Sequence, residues 1–261
     1  MDDRLAGVLA DLEAEGDQLE AVVAPLDDAG WRTATPAEGW DVAHQVAHLA
    51  WTDEVAVLAA TDKAAWDAGV LAAIEDPDGF VDTAAAQGAA VPPEELLARW
   101  RTARTRLVET LAALPEGTRI PWYGPPMSAT SMATARFMET WAHGRDVAAG
   151  LGVELPPDDR LRHVVHLGVR TRGFAFRARG LDPPESDVFV DLRLPSGEQI
   201  TFGPEGTDQS VTGSAHDFAL VVTQRLHHAD ADLVAVGAEA QQWLEVAQAF
   251  AGPPGPGRPT R

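Results

Sequence analysis

Histidine is the residue type that best equips this 261-residue chain for chemistry. His44 and His48 lie four residues apart, as do Glu139 and His143, and residues at this spacing share one face of an α-helix. Two helices of one bundle could each offer an imidazole, and one of them also a carboxylate. Such nitrogen and oxygen ligands suit Zn²⁺ or another divalent transition metal, and a position left open makes the site catalytic. The same spacing also arises by chance at a core edge or on a surface.

Cysteine is absent from the sequence, and its absence limits the chemistry further. The chain has no disulfide, no thiolate ligand and no cysteine nucleophile. Any thiol chemistry must therefore use a thiol brought from outside. The sequence also lacks a glycine-rich phosphate loop and the G-x-S-x-G and H-E-x-x-H motifs, so nucleotide, serine-hydrolase and zincin chemistry have no support.

Charge and hydropathy argue against two further classes of function. Twenty basic and 40 acidic residues give a formal charge of −20, which repels nucleic-acid phosphates. The longest uncharged stretch, residues 120–135, contains three prolines and is too polar to span a bilayer. The N-terminal residues lack the basic segment and apolar core of a secretory signal. We therefore expect a cytoplasmic protein that binds neither nucleic acid nor membrane.

The first part of the chain has the apolar periodicity of amphipathic helices, with Asp41 as a candidate N-cap of the second helix and Ser128 or Thr130 as that of the fourth. A short helix and a long loop are expected between the second and third helices. This pattern predicts a four-helix bundle over residues 1–155. The four long helices are expected at residues 3–23, 42–60, 92–114 and about 129–150.

After Pro156 the sequence pattern changes to short alternating segments, and the turn at residues 195–198 indicates a hairpin. A small α+β domain is predicted over residues 156–251, and the Pro/Gly-rich residues 252–261 are predicted to be disordered. Its strands are expected at residues 187–194, 199–202, 209–212 and 233–236, and its helices at 160–178, 214–227 and 239–250.

Three segments resemble a known family. Residues 38–50, EGWDVAHQVAHLA, resemble the second-helix motif of the DinB-like four-helix-bundle superfamily, above all of its mycothiol-dependent maleylpyruvate isomerases. Residues 139–146, ETWAHGRD, resemble the fourth-helix motif, and residues 211–225 resemble the C-terminal domain. The resemblance follows nearly the whole chain in order. It implies a mainly α protein, with an N-terminal DinB-like bundle followed by a small C-terminal α+β domain.

The family resemblance also implies a site and a reaction. In it, zinc is held by the residues that correspond to His48, Glu139 and His143, and an arginine at the place of Arg225 contributes to activity. His44 is then left to line the site, to support a ligand or to serve the structure. The implied function is zinc-dependent transfer or isomerisation, in which mycothiol or a similar small thiol acts on a small, anionic electrophile. A non-catalytic metal- or ligand-binding module and a metal-dependent hydrolase are the alternatives.

The segments that would shape the acceptor pocket match the isomerases less clearly, so a different electrophile is at least as well supported as maleylpyruvate as the acceptor. They are the loops between the second and third helices and an arginine-rich segment at residues 160–179. The six arginines of that segment either offset the acidic bundle, which we expect, or form an anion pocket, which His227 and His228 could extend.

Five further residues near the motifs carry weaker expectations. Asp146, three residues after His143, either fixes that imidazole ring or is a solvated helix residue. Asp53 and Glu54 are expected on the surface. Trp51 and Trp141 are expected to pack rather than to stack on a substrate.

Overall fold

The computed structural model describes residues 2–77, 79–255 and 257–260. The chain divides into two compact units, Met1–Leu155 and Pro156–Arg261. The first is helical, whereas the second combines helices with a four-stranded sheet. The expected fold class, mainly α with a smaller α+β part, is confirmed. No helix within the described residues is long and apolar enough to cross a membrane.

The first unit is built on four long helices, which occur where the periodicity predicts them. Contacts join α3 to α6 and α7, and α1 to α7 and α6. Asp41 caps α3 by accepting a hydrogen bond from the His44 backbone N–H, and Ser128 caps α7 in the same way. The helices are α1 Asp3–Val23, α2 Asp28–Trp31, α3 Val42–Thr61, α4 Lys63–Glu75, α5 Phe80–Ala89, α6 Pro93–Ala113 and α7 Ala129–Leu151.

Helix α3 is the central element of this unit, because it packs against α5, α6 and α7 and is buried on all but one narrow face, which runs from His44 to Leu58. Its apolar side chains share a core with Leu19 of α1 and with Leu96 and Trp100 of α6. Polar side chains on the buried faces of α3 are therefore held in the interior.

The segment between α3 and α6 differs from the prediction, since it contains two helices rather than one short helix and a long loop. Asp62 caps α4, and alanine, a strong helix former, is frequent in both α4 and α5. Helix α5 packs on α3. Gly88 permits the close approach, because a Cβ at this position would lie 2.8 Å from the Cβ of Ala47.

The second unit contains a four-stranded sheet in the order β2-β1-β3-β4. The predicted hairpin is confirmed, since β1 and β2 are antiparallel; β1 is parallel to β3, which is antiparallel to β4. The strands are β1 Phe189–Arg193, β2 Gln199–Phe202, β3 Ser210–Ser214 and β4 Leu233–Val236. The helices are α8 Arg162–Arg170, α9 Arg172–Ala178, α10 Ala215–Val222 and α11 Ala238–Val246.

One helix predicted in this unit is broken, and another ends earlier than expected. The helix expected over residues 160–178 is broken at Thr171, whose hydroxyl donates to backbone oxygens that include the carbonyl of Gln248. Helix α10 ends at Val222 because Gln224 has a left-handed backbone, with φ 61°, and Arg225 therefore follows the helix instead of ending it.

The Pro/Gly-rich tail has neither helix nor strand at residues 252–255 and 257–260. Pro256 and Arg261 lie outside the described residues. Disorder of the tail therefore stays a prediction.

Candidate metal centre

Helices α3 and α7 bring His48, Glu139 and His143 together. One ligand atom of each residue lies within 4.8 Å of the others. The Nε2 atom of His143 is 3.1 Å from Oε2 of Glu139, and Nε2 of His48 is 3.5 Å from the same oxygen. The two imidazole centroids are 4.6 Å apart. Three groups with metal-binding lone pairs thus converge from two helices.

These separations fit a divalent ion. Zinc bonds of 2.0–2.1 Å at tetrahedral angles place two ligand atoms about 3.3 Å apart. The two nitrogen-to-oxygen distances, 3.1 and 3.5 Å, lie on either side of that value. In addition, Nδ1 of His48 is buried and has no hydrogen-bond partner among the described residues. With two imidazoles and one carboxylate as ligands, a fourth coordination position would remain for another group.

Gln45 fixes the orientation of the His143 ring. Its amide NH₂ donates to the Thr35 hydroxyl at 2.8 Å, which leaves its oxygen to accept from Nδ1 of His143 at 2.5 Å. Because Nδ1 donates to Gln45, Nε2 is the ring atom that faces Glu139; it donates to the carboxylate when protonated, and after loss of that proton its lone pair can ligate a cation. Gln45 was not singled out from the sequence. The available signal was an amide side chain inside the otherwise apolar run of a buried helix.

The charge of Glu139 depends on the two histidines. Burial raises the pKa of its carboxyl, but hydrogen bonds with His143 and His48 outweigh burial and hold the pKa well below its usual range. Glu139 is therefore ionised at neutral pH. An ionised carboxylate is the form that ligates a metal.

Trp40 forms one side of the metal centre. Its ring stacks on His143 at a centroid distance of 5.9 Å and lies 5.3 Å from the His48 ring. The indole nitrogen donates to Asp82 of α5 at 2.9 Å, which fixes the ring in place. Trp40 thereby shields the two imidazoles from water on this side.

His44 is not part of the cluster. Its Nδ1 lies 2.6 Å from the carboxylate of Asp41, the residue that caps α3. Arg32 approaches the same carboxylate at 3.5 Å. Of the roles left open for His44, this geometry favours a structural one at the start of the helix.

The expectation that Asp53 lies on the surface is wrong. Asp53 is only 3% exposed, and it accepts a hydrogen bond from Nε of Arg136 at 2.8 Å. The side chain is buried because it lies on a face of α3 that packs on α7. Burial raises the pKa of Asp53, and the attraction of Arg136 only partly opposes this. Glu54, by contrast, forms a partly exposed ion pair with Arg99.

Asp146, Trp141 and Trp51 have different surroundings. Asp146 is buried, so it is not a solvated helix residue, and Gln45 is the residue that contacts Nδ1 of His143. Trp141 is buried beneath the guanidinium of Arg145, as expected of a packing residue. Trp51 is partly buried, with its ring 6.0 Å from that of His48.

In the second unit, side chains of the arginine-rich segment pair with groups of their own unit. Arg160 pairs with Asp158, Arg162 with Asp159 and Glu198, and Arg172 with Glu239. These carboxylates offset part of the positive charge that the sequence concentrates there.

Arg225 and the neighbouring histidines follow α10. The Arg225 side chain donates to the carbonyl of Thr223 at 2.5 Å. His227 and His228 stack at 4.5 Å and line a cavity of about 100 Å³ with Arg179 and other residues. Burial, and secondarily the charge of His227, lower the pKa of His228. The two histidines thus line a cavity, and a role of this cavity in binding an anion stays a prediction.

The bundle, the small α+β unit and a His/Glu/His cluster together define a DinB-like protein, and comparison with solved structures supports the fold. The crystal structure of the mycothiol-dependent maleylpyruvate isomerase is similar with a TM-score of 0.60 and 16% identity, covering 90% of this chain and 95% of that chain. A histidine-to-alanine mutant of that isomerase gives a TM-score of 0.58 at the same identity and coverage.

Residues 12–148 match the family model of the mycothiol maleylpyruvate isomerase N-terminal domain, and the chain belongs to this family. The predicted resemblance is therefore confirmed. The chain is also 55% identical over 250 residues to an uncharacterized protein of Mycobacterium tuberculosis strain H37Rv, covering 96% of this chain and 97% of that protein. A protein of strain CDC 1551 matches equally well.

Proposed function

We propose that this protein is a metal-dependent enzyme that uses mycothiol, or a similar small thiol, to transform a small electrophile. The convergence of His48, Glu139 and His143 within 4.8 Å carries this proposal. Membership of the mycothiol maleylpyruvate isomerase family supports the thiol. Because the chain has no cysteine, the thiol must be a cosubstrate. We place the reaction in the cytoplasm, where small thiols are kept reduced.

We propose Zn²⁺ as the ion, held by His48, Glu139 and His143. When bound, such an ion supplies a Lewis acid that lowers the pKa of a thiol in its open position. The protein's own residues prepare the site: Gln45 holds the His143 ring in the ligating tautomer, and Trp40 excludes water from one side. Arg225 is our proposed anchor for a carboxylate of the acceptor.

The proposed reaction is addition to a conjugated double bond. The thiolate sulfur forms a bond to the electrophilic carbon, and the π electrons move towards the acceptor's carbonyl group. A proton taken up at the neighbouring carbon completes a thioether, which is the transferase product. For isomerisation, the carbon–carbon bond rotates while it is single, and loss of the same proton and the thiolate restores the double bond. One site serves both outcomes.

Metal content and thiol-dependent turnover of the wild type, His48→Ala and Glu139→Ala test the proposal. We expect about one ion per chain in the wild type and loss of metal and turnover in both variants, since each removes one of three ligands. His44→Ala is the matched control, because it removes an imidazole one turn earlier on α3 and should retain the ion. Full metal stoichiometry in both ligand variants would overturn the site assignment.

Arg225 distinguishes the enzyme from its alternatives. We expect Arg225→Ala to retain the metal and to lose turnover, with partial recovery in Arg225→Lys, because a metal-binding module does not need this guanidinium. If the wild type holds zinc but consumes no mycothiol with a panel of electrophiles, the binding module is favoured. Turnover that does not depend on the thiol would favour a hydrolase.

A further inference from the structure

A series of aromatic rings leads away from His48 within the first unit. We call Trp51, Phe80, Tyr123, Trp122 and Trp66 the aromatic wall. Successive centroid distances are 6.0 Å from His48 to Trp51, 5.9 Å to Phe80, 5.6 Å to Tyr123, 5.4 Å to Trp122 and 5.7 Å to Trp66. Each step lies in the range of direct ring contact.

The aromatic wall is fixed at its far end and accessible along its length. Trp66 is buried and stacks on Trp122 with an interplanar angle of 15°. The rings of Trp51 and Phe80 are partly exposed, and Tyr123 is 40% exposed. Tyr123 is the one tyrosine of the chain, and the segment that carries it continues with Gly124, Pro125 and Pro126. The prolines restrict the backbone that presents this ring.

Two of the elements that carry the aromatic wall lie where the sequence predicted the structure least well. Trp66 lies on α4 and Phe80 on α5, in the segment expected to be mainly loop. This segment also lacks a clear correspondence to the isomerases in sequence. An apolar surface contributed by the most divergent segment, and continuous with the metal centre, is suited to select a substrate.

The charge of the first unit indicates what that substrate carries. Residues 1–155 include 26 acidic and 10 basic residues, so an anionic end of an acceptor is disfavoured there. A planar apolar group gains both burial and ring stacking. We propose that the aromatic wall binds the non-reacting end of the acceptor, and that this end is an aromatic ring. This inference rests on the proposed function.

A pair of acceptors that differ in one group tests the inference. The compounds 4-oxo-2-pentenoate and 4-oxo-4-phenyl-2-butenoate share the conjugated double bond and carboxylate, but one ends in methyl and the other in phenyl. We expect wild-type kcat/KM, divided by the spontaneous rate with mycothiol, to favour the phenyl compound by about tenfold or more. Phe80→Ala and Tyr123→Ala should lose most of this preference, and Tyr123→Phe should keep it.

Leu71→Ala is the control, because Leu71 is an exposed apolar residue of α4, 64% exposed, outside the aromatic wall. It should leave the preference unchanged. A purely structural wall would lower the melting temperature of Phe80→Ala without changing the ratio between the two acceptors. An unchanged ratio in both alanine variants would therefore overturn the inference while leaving the thiol-dependent reaction intact.

Binding of unreactive analogues separates this inference from the proposed function. The saturated compounds 4-oxopentanoate and 4-oxo-4-phenylbutanoate cannot add a thiol, and calorimetry gives their Kd without turnover. Tighter binding of the phenyl analogue by about tenfold, lost in Phe80→Ala and Tyr123→Ala, would support the aromatic wall even if neither acceptor is turned over. Equal binding of both analogues, unchanged in the variants, would overturn it.

Discussion

Two polar clusters join α3 to α7, and they differ in how their charges are satisfied. Asp53 of α3 pairs with Arg136 of α7, an acid matched by a permanent cation. One turn or so away on the same helices, His48 faces Glu139 and His143, an acid matched only by two imidazoles. The first cluster contains its own counter-charge, whereas the second directs lone pairs to a common point.

This difference explains why the second cluster, and not the first, is the candidate site. A buried acid beside a guanidinium has no need of a ligand, since the pair is neutral as a unit. By contrast, two ring nitrogens and an ionised carboxylate that face one another are stabilised when a cation binds between them. The pKa shifts go in opposite directions accordingly: burial dominates and raises the pKa of Asp53, while hydrogen bonds to the histidines outweigh burial and lower that of Glu139.

The largest effect is expected from breaking the ion pair of Asp53 and Arg136. Asp53→Ala leaves Arg136 buried without its counter-charge, and Nη2 of Arg136 already has no hydrogen-bond partner among the described residues. We expect a loss of about 3–5 kcal/mol in the free energy of unfolding. Urea denaturation of the metal-free proteins measures it.

The double variant Asp53→Leu/Arg136→Met is the control for that loss. It removes both charges and replaces them with apolar groups, so it should recover most of the stability. If the double variant is as unstable as Asp53→Ala, lost packing rather than an unpaired charge is responsible. Asp53→Ala should still bind the metal where it remains folded.

The second-largest effect is expected at Gln45, which supports the cluster of His48, Glu139 and His143. Gln45→Leu removes the acceptor of the His143 Nδ1 proton and puts an apolar side chain of similar size in its place. We expect metal affinity to fall by about 10- to 100-fold, with stoichiometry retained at high metal concentration. Competition with a chelator gives the Kd. Gln45→Glu, which keeps an acceptor oxygen, should retain more affinity than Gln45→Leu, and equal losses in both would contradict the role of that oxygen.

The sequence predicted which three residues cluster better than it predicted their surroundings. His48, Glu139 and His143 follow from helical spacing together with the family motifs, because a four-residue repeat fixes which side chains share a face. Gln45 and Asp53 were missed or misplaced, since spacing alone does not reveal which faces of α3 are buried. Burial of that kind is a property of how the helices pack, and it determines both residues' contacts.

The fold was likewise predicted well in some elements and poorly in others. Long helices with clear caps, such as α3 and α7, were predicted to within a residue or so at each end. Helices α4 and α5 were predicted poorly: the alanine-rich α4 has a weak amphipathic pattern, and both helices form where they pack on α3. The end of α10 depends on a left-handed Gln224, for which the sequence gives no glycine signal.

The third prediction uses the opposite pKa shifts of the two acids. A depressed pKa makes ionised Glu139 stabilising above its ordinary value of about 4.5, and this contribution is lost as the pH falls through the folded-state pKa. A raised pKa makes protonated Asp53 favourable at low pH, and that contribution is lost as the pH rises through the folded-state pKa.

We therefore expect opposite slopes in urea denaturation of the metal-free proteins between pH 3.5 and 7. The stability advantage of the wild type over Glu139→Gln should grow with pH, and its advantage over Asp53→Asn should shrink. Slopes of the same sign would show that the two clusters do not differ as their contacts indicate.

The smallest effect is expected at His44, which shares a helix face with His48 but lies outside both clusters. Its contact with Asp41 is a partly exposed pair at the start of α3. His44→Ala should cost about 1 kcal/mol or less in the free energy of unfolding, since pairs of this kind contribute little. Asp41→Ala should cost more, up to about 2 kcal/mol, because it also removes the helix cap. A weakened metal Kd in His44→Ala, with Asp41→Ala unaffected, would instead assign His44 to the metal centre.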